Sequence, residues 1–211
     1  MISGVILAAG GSSRMGRPKQ LLPLAGRPLL QHVVDRASGS ELDEVLLVLG
    51  AQARTVREGL EIPDRVRVLE HREWREGQSS SLRAALDIAH PTSRGALILL
   101  GDEPLVPLEG IQLVLDAFRT GEWVAVRASY AGEPGHPVLL GRELWPLLQA
   151  LEGDRGAGPL LKALGPAVGK VEMGEPRPVD VDTSQDYERL RAEGEGLNSS
   201  PAGPGLDPVP E

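Results

Sequence analysis

The chain has 211 residues, of which 41% are hydrophobic and only 3% aromatic, so its core must be built from aliphatic side chains. A formal net charge of −8 argues against broad binding to nucleic acid or to an anionic membrane, which needs a basic face. The absence of cysteine excludes disulfides, thiolate zinc sites and a cysteine nucleophile. We expect a cytoplasmic protein, because no apolar run approaches the ~20 residues of a membrane span and no secretory signal is visible after Met1.

Apolar runs alternate with helical patterns in the first half of the chain. The predicted strands are 5–9, 44–49, 65–69 and 96–100, and the predicted helices are 29–36, 53–59 and 80–89. This alternation predicts an α/β fold with a parallel sheet and right-handed crossovers. Such sheets bind ligands at the carboxyl ends of their strands. Four residues follow those ends: Gly10, Gly50, Glu70 and Asp102.

The pattern is looser after Asp102. Strands are predicted over 123–130, 136–140, 168–173 and 179–181, and helices over 108–118, 143–150, 159–164 and 183–191, with a turn at 132–135. The segment Thr183-Ser-Gln-Asp186 approximates a capping box, which would begin the last helix. From Gly194 to Glu211 the chain is mostly Gly, Pro, Ser, Asn and acidic residues, so we expect a disordered tail there.

The loop after the first strand is rich in glycine and positive charge, although the chain is acidic overall. It contains Gly10, Gly11, Arg14, Gly16, Arg17 and Lys19. Small residues leave backbone N–H groups free to face an anion, which guanidinium and ammonium groups neutralise. A Walker loop is excluded, because Arg17 and Pro18 stand where it needs lysine and a hydroxyl, and the dinucleotide fingerprint is absent. The alternative is an ordinary solvated loop; the combination favours a triphosphate site.

Carboxylates that could bind a cation occur in two further segments of the chain. The buried run 97–100 is followed by Gly101, Asp102 and Glu103, so Asp102 can hold a hard cation against phosphate oxygens or can simply cap a turn. Asp180 and Asp182 alternate, which places both on one side of a strand, where they could bind a cation or cap the next helix.

A run of polar residues, Gly77-Gln-Ser-Ser-Ser81, precedes an apolar helical face. Ser79 or Ser80 is expected to cap that helix, and the N–H groups and hydroxyls of the run could hold a base or ribose. Trp74 could stack on a base or pack as part of a lid.

The stretch Leu7-Ala-Ala-Gly-Gly-Ser-Ser-Arg-Met-Gly-Arg-Pro-Lys-Gln-Leu-Leu-Pro23 resembles the signature of MobA-like nucleotidyltransferases, most closely the molybdenum cofactor cytidylyltransferase branch. The resemblance recurs at 77–82, 100–104, 135–138, 153–157 and 180–183, and so spans about residues 1–190. It implies a Rossmann-like three-layer (GT-A-like) α/β fold with a mainly parallel, mixed sheet. The domain would cover 1–193, with a nucleotide-binding half (1–105) and an acceptor-binding half (106–193), and the tail would be 194–211.

The resemblance also implies an activity, namely Mg²⁺-dependent transfer of CMP from CTP to the phosphate of molybdopterin with release of pyrophosphate. It implies catalytic roles for Arg14, Lys19 and Asp102. The implied nucleotide-binding residues are Leu7, Ala8, Ala9, Gly10, Gly11, Ser12, Ser13, Arg14, Lys19, Gly77, Gln78, Ser80 and Ser81. Asp102 and Asp182 would bind magnesium, and His136 and Asp154 would border the acceptor.

CTP is the expected nucleotide, because within the family an alanine at the position of Ala9 goes with cytidylyltransferases, whereas a glycine makes room for a purine. The expected partners are CTP, a molybdopterin-type acceptor and a recipient molybdoenzyme, with no nucleic acid and no membrane. Three alternatives stay open: another phosphorylated acceptor such as a sugar or polyol phosphate, GTP as donor, or a non-catalytic chaperone that binds a nucleotide or cofactor.

Overall fold

A seven-stranded sheet runs through the middle of the molecule. The computed structural model describes residues 1–12, 16–174 and 176–197. The strands of this part are β1 (Ser3–Ala8), β2 (Pro23–Leu24), β3 (Arg27–Pro28), β4 (Glu44–Leu49), β5 (Val66–Glu70), β6 (Gly95–Leu100), β7 (Ala125–Tyr130), β8 (Glu133–Gly141) and β9 (Val168–Glu172). The sheet order is β5-β4-β1-β6-β8-β7-β9, while β2 and β3 form a separate ribbon. Only β8 runs antiparallel to its neighbours, so the predicted mainly parallel, mixed sheet is confirmed.

Helices cover both faces of the sheet. They are α1 (Leu29–Gly39), α2 (Ala53–Glu58), α3 (Gln78–Ile88), α4 (Leu108–Arg119), α5 (Trp145–Leu148), α6 (Gly158–Leu164) and α7 (Ser184–Leu197). Alternate strand residues face opposite sides: Ile6 and Ala8 of β1 lie in a core with α1, α2 and α4, whereas Val5 and Leu7 lie in a core with α3, α5 and α6. The three-layer α/β architecture is thereby confirmed.

The hairpin between β7 and β8 differs from its prediction. Its turn consists of Ala131 and Gly132, which both have positive φ (50° and 84°), as in the primed turns that join antiparallel strands. Because this turn uses two residues, β8 begins at Glu133 rather than at His136.

In a small third core, residues from around α7 pack against residues from the β2–β3 ribbon and the start of α1. It joins Leu22, Leu24 and Leu29 to Val181, Tyr187 and Leu190. The Tyr187 hydroxyl donates to the Pro23 carbonyl at 2.6 Å. The predicted strand 179–181 is absent, because Val181 packs into this core and its N–H bonds to the Asp102 carbonyl at 3.1 Å. The chain around Asp182 is therefore held beside Asp102.

Two helices also differ in extent from the prediction. The predicted helix 143–150 is a 3₁₀ turn (Arg142–Leu144) followed by the four-residue α5. Helix α7 continues to Leu197 and so takes the first four positions of the predicted tail, while 198–211 lie outside the described residues. Among the described residues, no helix is long and apolar enough to span a membrane.

Candidate active site

Three charged side chains from distant parts of the chain meet at the carboxyl end of β6. The Lys19 ammonium donates to Asp102 Oδ2 at 2.6 Å and to Asp182 Oδ1 at 3.0 Å. Lys19 follows the loop after β1, Asp102 follows β6, and Asp182 precedes α7. The fold thus brings together three residues that the sequence singled out separately.

The surroundings of Lys19 keep it charged. Burial alone would lower the pKa of its ammonium, but the two adjacent carboxylates outweigh burial and raise that pKa above 10.5. Lys19 therefore stays cationic at neutral pH between the side chains of Asp102 and Asp182.

The loop after β1 is fixed from inside by Gln20. The buried Gln20 amide donates to the carbonyls of Ala8 and Gly10, both at 3.0 Å. Ser12, whose φ is 49°, accepts the Lys19 backbone N–H at 3.0 Å. Ser13 and Arg14 lie outside the described residues, so their roles stay predictions.

A cavity of about 520 Å³ opens along this edge of the sheet. The predicted nucleotide-binding, catalytic and metal-binding residues that line it are Leu7, Ala8, Ala9, Gly10, Gly11, Lys19, Gly77, Gln78, Ser81 and Asp102. Gln20, Trp74, Arg75, Leu100, Gly101 and Asp154 complete its wall. Most of the predicted nucleotide-binding set thus lies around one concave surface, which we call the strand-edge cavity.

Trp74 forms one wall of the strand-edge cavity. A Cβ at Gly50 would lie 2.6 Å from the Trp74 Cβ and 2.6 Å from the Ala9 carbonyl oxygen, so this glycine permits the close packing. The Arg75 guanidinium lies 4.6 Å from the centre of a Trp74 ring. One ring surface is therefore covered by protein.

The start of α3 departs from the prediction of a serine cap. The helix is preceded by Gly77, and Asp154 Oδ1 instead accepts the Gln78 N–H at 3.2 Å. Gly77 has φ +104° and touches the 153–154 loop so closely that a Cβ would lie 2.5 Å from the Gly153 carbonyl carbon. Asp154, predicted to border the acceptor, therefore lies in the wall of the strand-edge cavity.

Ser80 does not line the described cavities. Its buried hydroxyl donates to the Gly77 carbonyl at 2.8 Å and lies 2.9 Å from the Nε2 of His71. Ser81, one position later, does line the strand-edge cavity. The position of Ser80 thus indicates a role in the turn before α3.

A second cavity, of about 230 Å³, adjoins the first and shares Leu7 and Gln78 with it. We call it the inner cavity. His136 lines it, as does the start of α6. Two arginines that the sequence analysis did not single out, Arg127 and Arg177, also line it. No short motif surrounds either one, so spacing alone could not have found them.

A buried ionic network adjoins the inner cavity. Glu103 is only 1% exposed and lies 3.5 Å from His136 Nδ1 and 3.3 Å from an Arg177 nitrogen, which also contacts Asp180 at 3.0 Å. Burial alone would raise the pKa of Glu103, but His136, Asp180 and Arg177 outweigh it and lower that pKa. Partial burial, and then the neighbouring Glu103, raise the pKa of Asp180 to about 7.

Asp102 and Asp182 fit a magnesium ion in the chemistry of their donor atoms. Both present carboxylate oxygens to the same small volume, which a cationic ammonium fills. Within the described ranges no cluster of three or more His, Cys, Asp or Glu side chains could hold a metal alone. Magnesium is commonly held by one or two carboxylates, with substrate phosphates and water as its other ligands.

The family of MobA-like NTP transferase domains matches residues 4–168. This chain belongs to that family. The match covers most of the chain, including the loop after β1, the start of α3 and Asp102.

Individual relatives extend the comparison over nearly the whole chain. Nicotine blue oxidoreductase of Paenarthrobacter nicotinovorans is 34% identical over 90% of this chain and 96% of its own. The structure of Rv0371c from Mycobacterium tuberculosis H37Rv, described as a complex with manganese, is 33% identical, with a TM-score of 0.77 over 90% of this chain and 97% of its own. A nucleotidyl transferase from Methanothermobacter thermautotroptrophicus is 27% identical, with a TM-score of 0.76 over 94% and 99%.

Proposed function

We propose that this protein transfers CMP from CTP to the phosphate of a molybdopterin-type acceptor and releases pyrophosphate. The observation that carries the proposal is that Lys19 contacts both Asp102 and Asp182, while Lys19 and Asp102 line the strand-edge cavity. Such a cluster suits a phosphate chain, because its cation can pair with phosphate oxygens while its carboxylates hold a metal.

In this proposal the protein positions the reactants and neutralises charge. The N–H groups of the loop from Gly10 cradle the triphosphate, and Lys19 neutralises charge on the leaving phosphates. An oxygen of the acceptor phosphate attacks the α-phosphorus in line; the bond to the β-phosphate oxygen breaks and pyrophosphate leaves. Little covalent chemistry is required of the side chains.

Asp102 and Asp182 would hold the divalent ion, for which we propose magnesium. Such an ion supplies neutralisation of the charge on phosphate oxygens when bound. Arg14 is proposed as a second cation beside the phosphates. The base and ribose are placed against Gly77, Gln78 and Ser81, which line the same cavity as Lys19.

A second candidate is reduction chemistry, since a relative 34% identical over most of this chain bears the name of an oxidoreductase. Hydride transfer between organic molecules does not in itself require two carboxylates around an ammonium, so the cluster at Asp102 favours nucleotidyl transfer. The two candidates predict different products and are separable in one set of assays.

The deciding experiment measures pyrophosphate release by the purified protein with Mg²⁺, each of the four ribonucleoside triphosphates and molybdopterin. Release with CTP alone, dependent on molybdopterin, is expected. A parallel assay follows NADH and NADPH oxidation with dye acceptors. Sugar and polyol phosphates form a third panel, which tests the other acceptors that the family chemistry allows.

Matched variants tie the result to the site. Asp102→Asn and Lys19→Ala should reduce turnover by roughly 10²-fold or more, as does the loss of a preorganised charge-stabilising group. Lys162→Ala is the control, since Lys162 is exposed on α6 and lines neither the strand-edge cavity nor the smaller cavity beside it. Near wild-type turnover in either site variant would refute the proposed roles, and binding of CTP without turnover would favour the chaperone alternative.

A further inference from the structure

The inner cavity contains a cation for which the described protein supplies no counterion. Arg127 is half-buried there, and its Nε is buried without a hydrogen-bond partner. Its guanidinium makes no ion pair with any residue of 1–12, 16–174 or 176–197. Arg177, the other guanidinium of the cavity, already pairs with Glu103 and Asp180. The uncompensated charge of the inner cavity is therefore that of Arg127.

The position of Arg127 on the sheet is unusual for a charged residue. It pairs with Val138 of β8, which in turn pairs with Ile98 of β6. Val138 and Ile98 belong to the apolar core on the α3 side. Leaving a cation half-buried beside such a face costs free energy unless an anion offsets it. Partial burial, and then the nearby charge of Arg177, lower the pKa of this guanidinium, so the cost has two sources.

The backbone also changes its path at this residue. The register of β7 against β8 shifts between Arg127 and Ala128, which marks a β-bulge or a similar irregularity. Such irregularities re-aim a side chain and are frequent beside active sites. Here the re-aimed side chain lines the inner cavity.

We propose that Arg127 binds a second anionic group of the acceptor, separate from the phosphate that attacks the nucleotide. Two inter-strand spacings, roughly 10 Å in all, separate Arg127 from Ile98 of β6, and Asp102 lies four residues beyond Ile98 along the chain. The acceptor would thus carry an anionic group at each end, with a body that packs on Leu82, Ile98 and Leu161. Identifying this ligand with the acceptor rests on the proposed function; the anion site itself does not.

The test follows the Nε–H resonance of Arg127 by ¹⁵N nuclear magnetic resonance while inorganic phosphate is added. The signal is identified by its loss in Arg127→Lys. We expect it to shift to saturation in the wild type and equally in Lys19→Ala, because the anion site lies apart from the nucleotide phosphates. The Nε–H of Arg54, which is 90% exposed on α2 and already donates to Glu58, reports changes unrelated to the inner cavity and should stay unchanged. Acetate, titrated in parallel, distinguishes a carboxylate from a phosphate group.

A kinetic measurement connects the site to the reaction. Arg127→Gln should raise the KM for the acceptor roughly tenfold and leave the KM for CTP unchanged, as loss of a charge-assisted hydrogen bond does. Arg54→Gln is the matched control. If Arg127 responds to phosphate but no pyrophosphate is ever released, the anion site stands and only the transfer proposal falls. If neither phosphate nor acetate shifts the Nε–H resonance of Arg127, or if that resonance shifts only together with the one of Arg54, the proposal is wrong.

Discussion

Lys19 lies where the proposed magnesium ion would bind. Its ammonium contacts both Asp102 and Asp182, and its raised pKa keeps it charged at neutral pH. Two cations in one half-buried volume repel each other. We therefore expect Lys19 to leave the carboxylates when a metal enters, which would direct its charge toward the phosphates.

Replacing Lys19 by methionine tests this competition, because methionine keeps an unbranched side chain without the charge. In the absence of nucleotide, the affinity for Mn²⁺ should rise roughly tenfold, since no ammonium competes for Asp102 and Asp182. Electron paramagnetic resonance of free Mn²⁺ measures this affinity, and Lys162→Met serves as the control. Unchanged or weaker binding in Lys19→Met would show that the ammonium does not compete.

The stability of the protein should depend on pH through Asp180. Its pKa in the folded protein is raised to about 7 from an ordinary 3.8, so the folded state holds this proton more tightly than the unfolded state. The stability that Asp180 contributes should therefore fall as pH rises from 3.8 to about 7 and then level off. Asp180→Asn cannot lose this proton and should become more stable than the wild type as pH rises through that window. Urea unfolding at pH 5 and pH 8 measures the difference, and equal effects at both would contradict the prediction.

At the scale of elements, the cap of α7 positions Asp182. Thr183 Oγ1 accepts the Asp186 N–H at 3.2 Å, while Asp186 Oδ2 accepts the N–H groups of Thr183 at 2.8 Å and of Asp182 at 3.3 Å. The sequence predicted this capping box from the 183–186 segment. The Thr183 hydroxyl also donates to Asp186 Oδ2 at 2.7 Å, and this bond, followed by the contact with Arg189, holds the pKa of Asp186 down at about 2. The backbone of a proposed metal ligand is thus part of a helix N-terminus.

Thr183→Ala should therefore affect activity as well as stability. Loss of such a cap costs about 1 kcal/mol of unfolding free energy. Turnover should fall further than this loss explains, with a higher Mg²⁺ requirement, because Asp182 is less well placed. Thr183→Ser, which restores the hydroxyl, should recover both. Thr120→Ala, at the exposed end of α4, is the control for loss of a threonine from a helix terminus. If Thr183→Ala left the Mg²⁺ requirement unchanged, the cap of α7 would not position Asp182 for metal binding.

Elements bounded by local signals were predictable from the sequence. β4 has the predicted bounds because its apolar run lies between Asp43 and Gly50. The cap of α3 was not predictable, since it comes from Asp154, 76 residues away. The missing strand near Val181 has the same cause, as its partners are leucines in the first thirty residues of the chain and the Asp102 carbonyl. Local patterns thus located the strand ends, whereas distant contacts decided which side chains share a cavity.

At the scale of the whole molecule, the proposed nucleotide-binding and acceptor-binding halves share their cores. Ile6 and Leu97 from residues 1–105 pack in the same cluster as Ile111, Val126 and Leu139 from residues 106–193. Strand β8 is also hydrogen-bonded directly to β6. Neither half has a separate core, so we expect the two to unfold together.

The three tryptophans allow this to be measured. Trp123→Phe with Trp145→Phe leaves Trp74 as the reporter of the first half, while Trp74→Phe leaves two reporters in the second. Each variant has its own stability. The urea midpoint measured by tryptophan fluorescence is therefore compared with the urea midpoint measured by circular dichroism of the same variant. We expect the two midpoints to coincide in each, as two-state unfolding requires. Separate midpoints within either variant would instead indicate two folding units.

Gln78 belongs to the walls of both cavities. Its backbone N–H donates to Asp154, which lies 76 residues later in the chain. Gln78 therefore forms part of the wall between the two cavities. If a ligand in one cavity reorients this side chain, it alters the other cavity as well. The coupling must then be equal in both directions. If bound nucleotide changes the affinity for the acceptor by some factor, bound acceptor changes the affinity for the nucleotide by the same factor. A single glutamine would give the two substrates heterotropic cooperativity without any movement of domains.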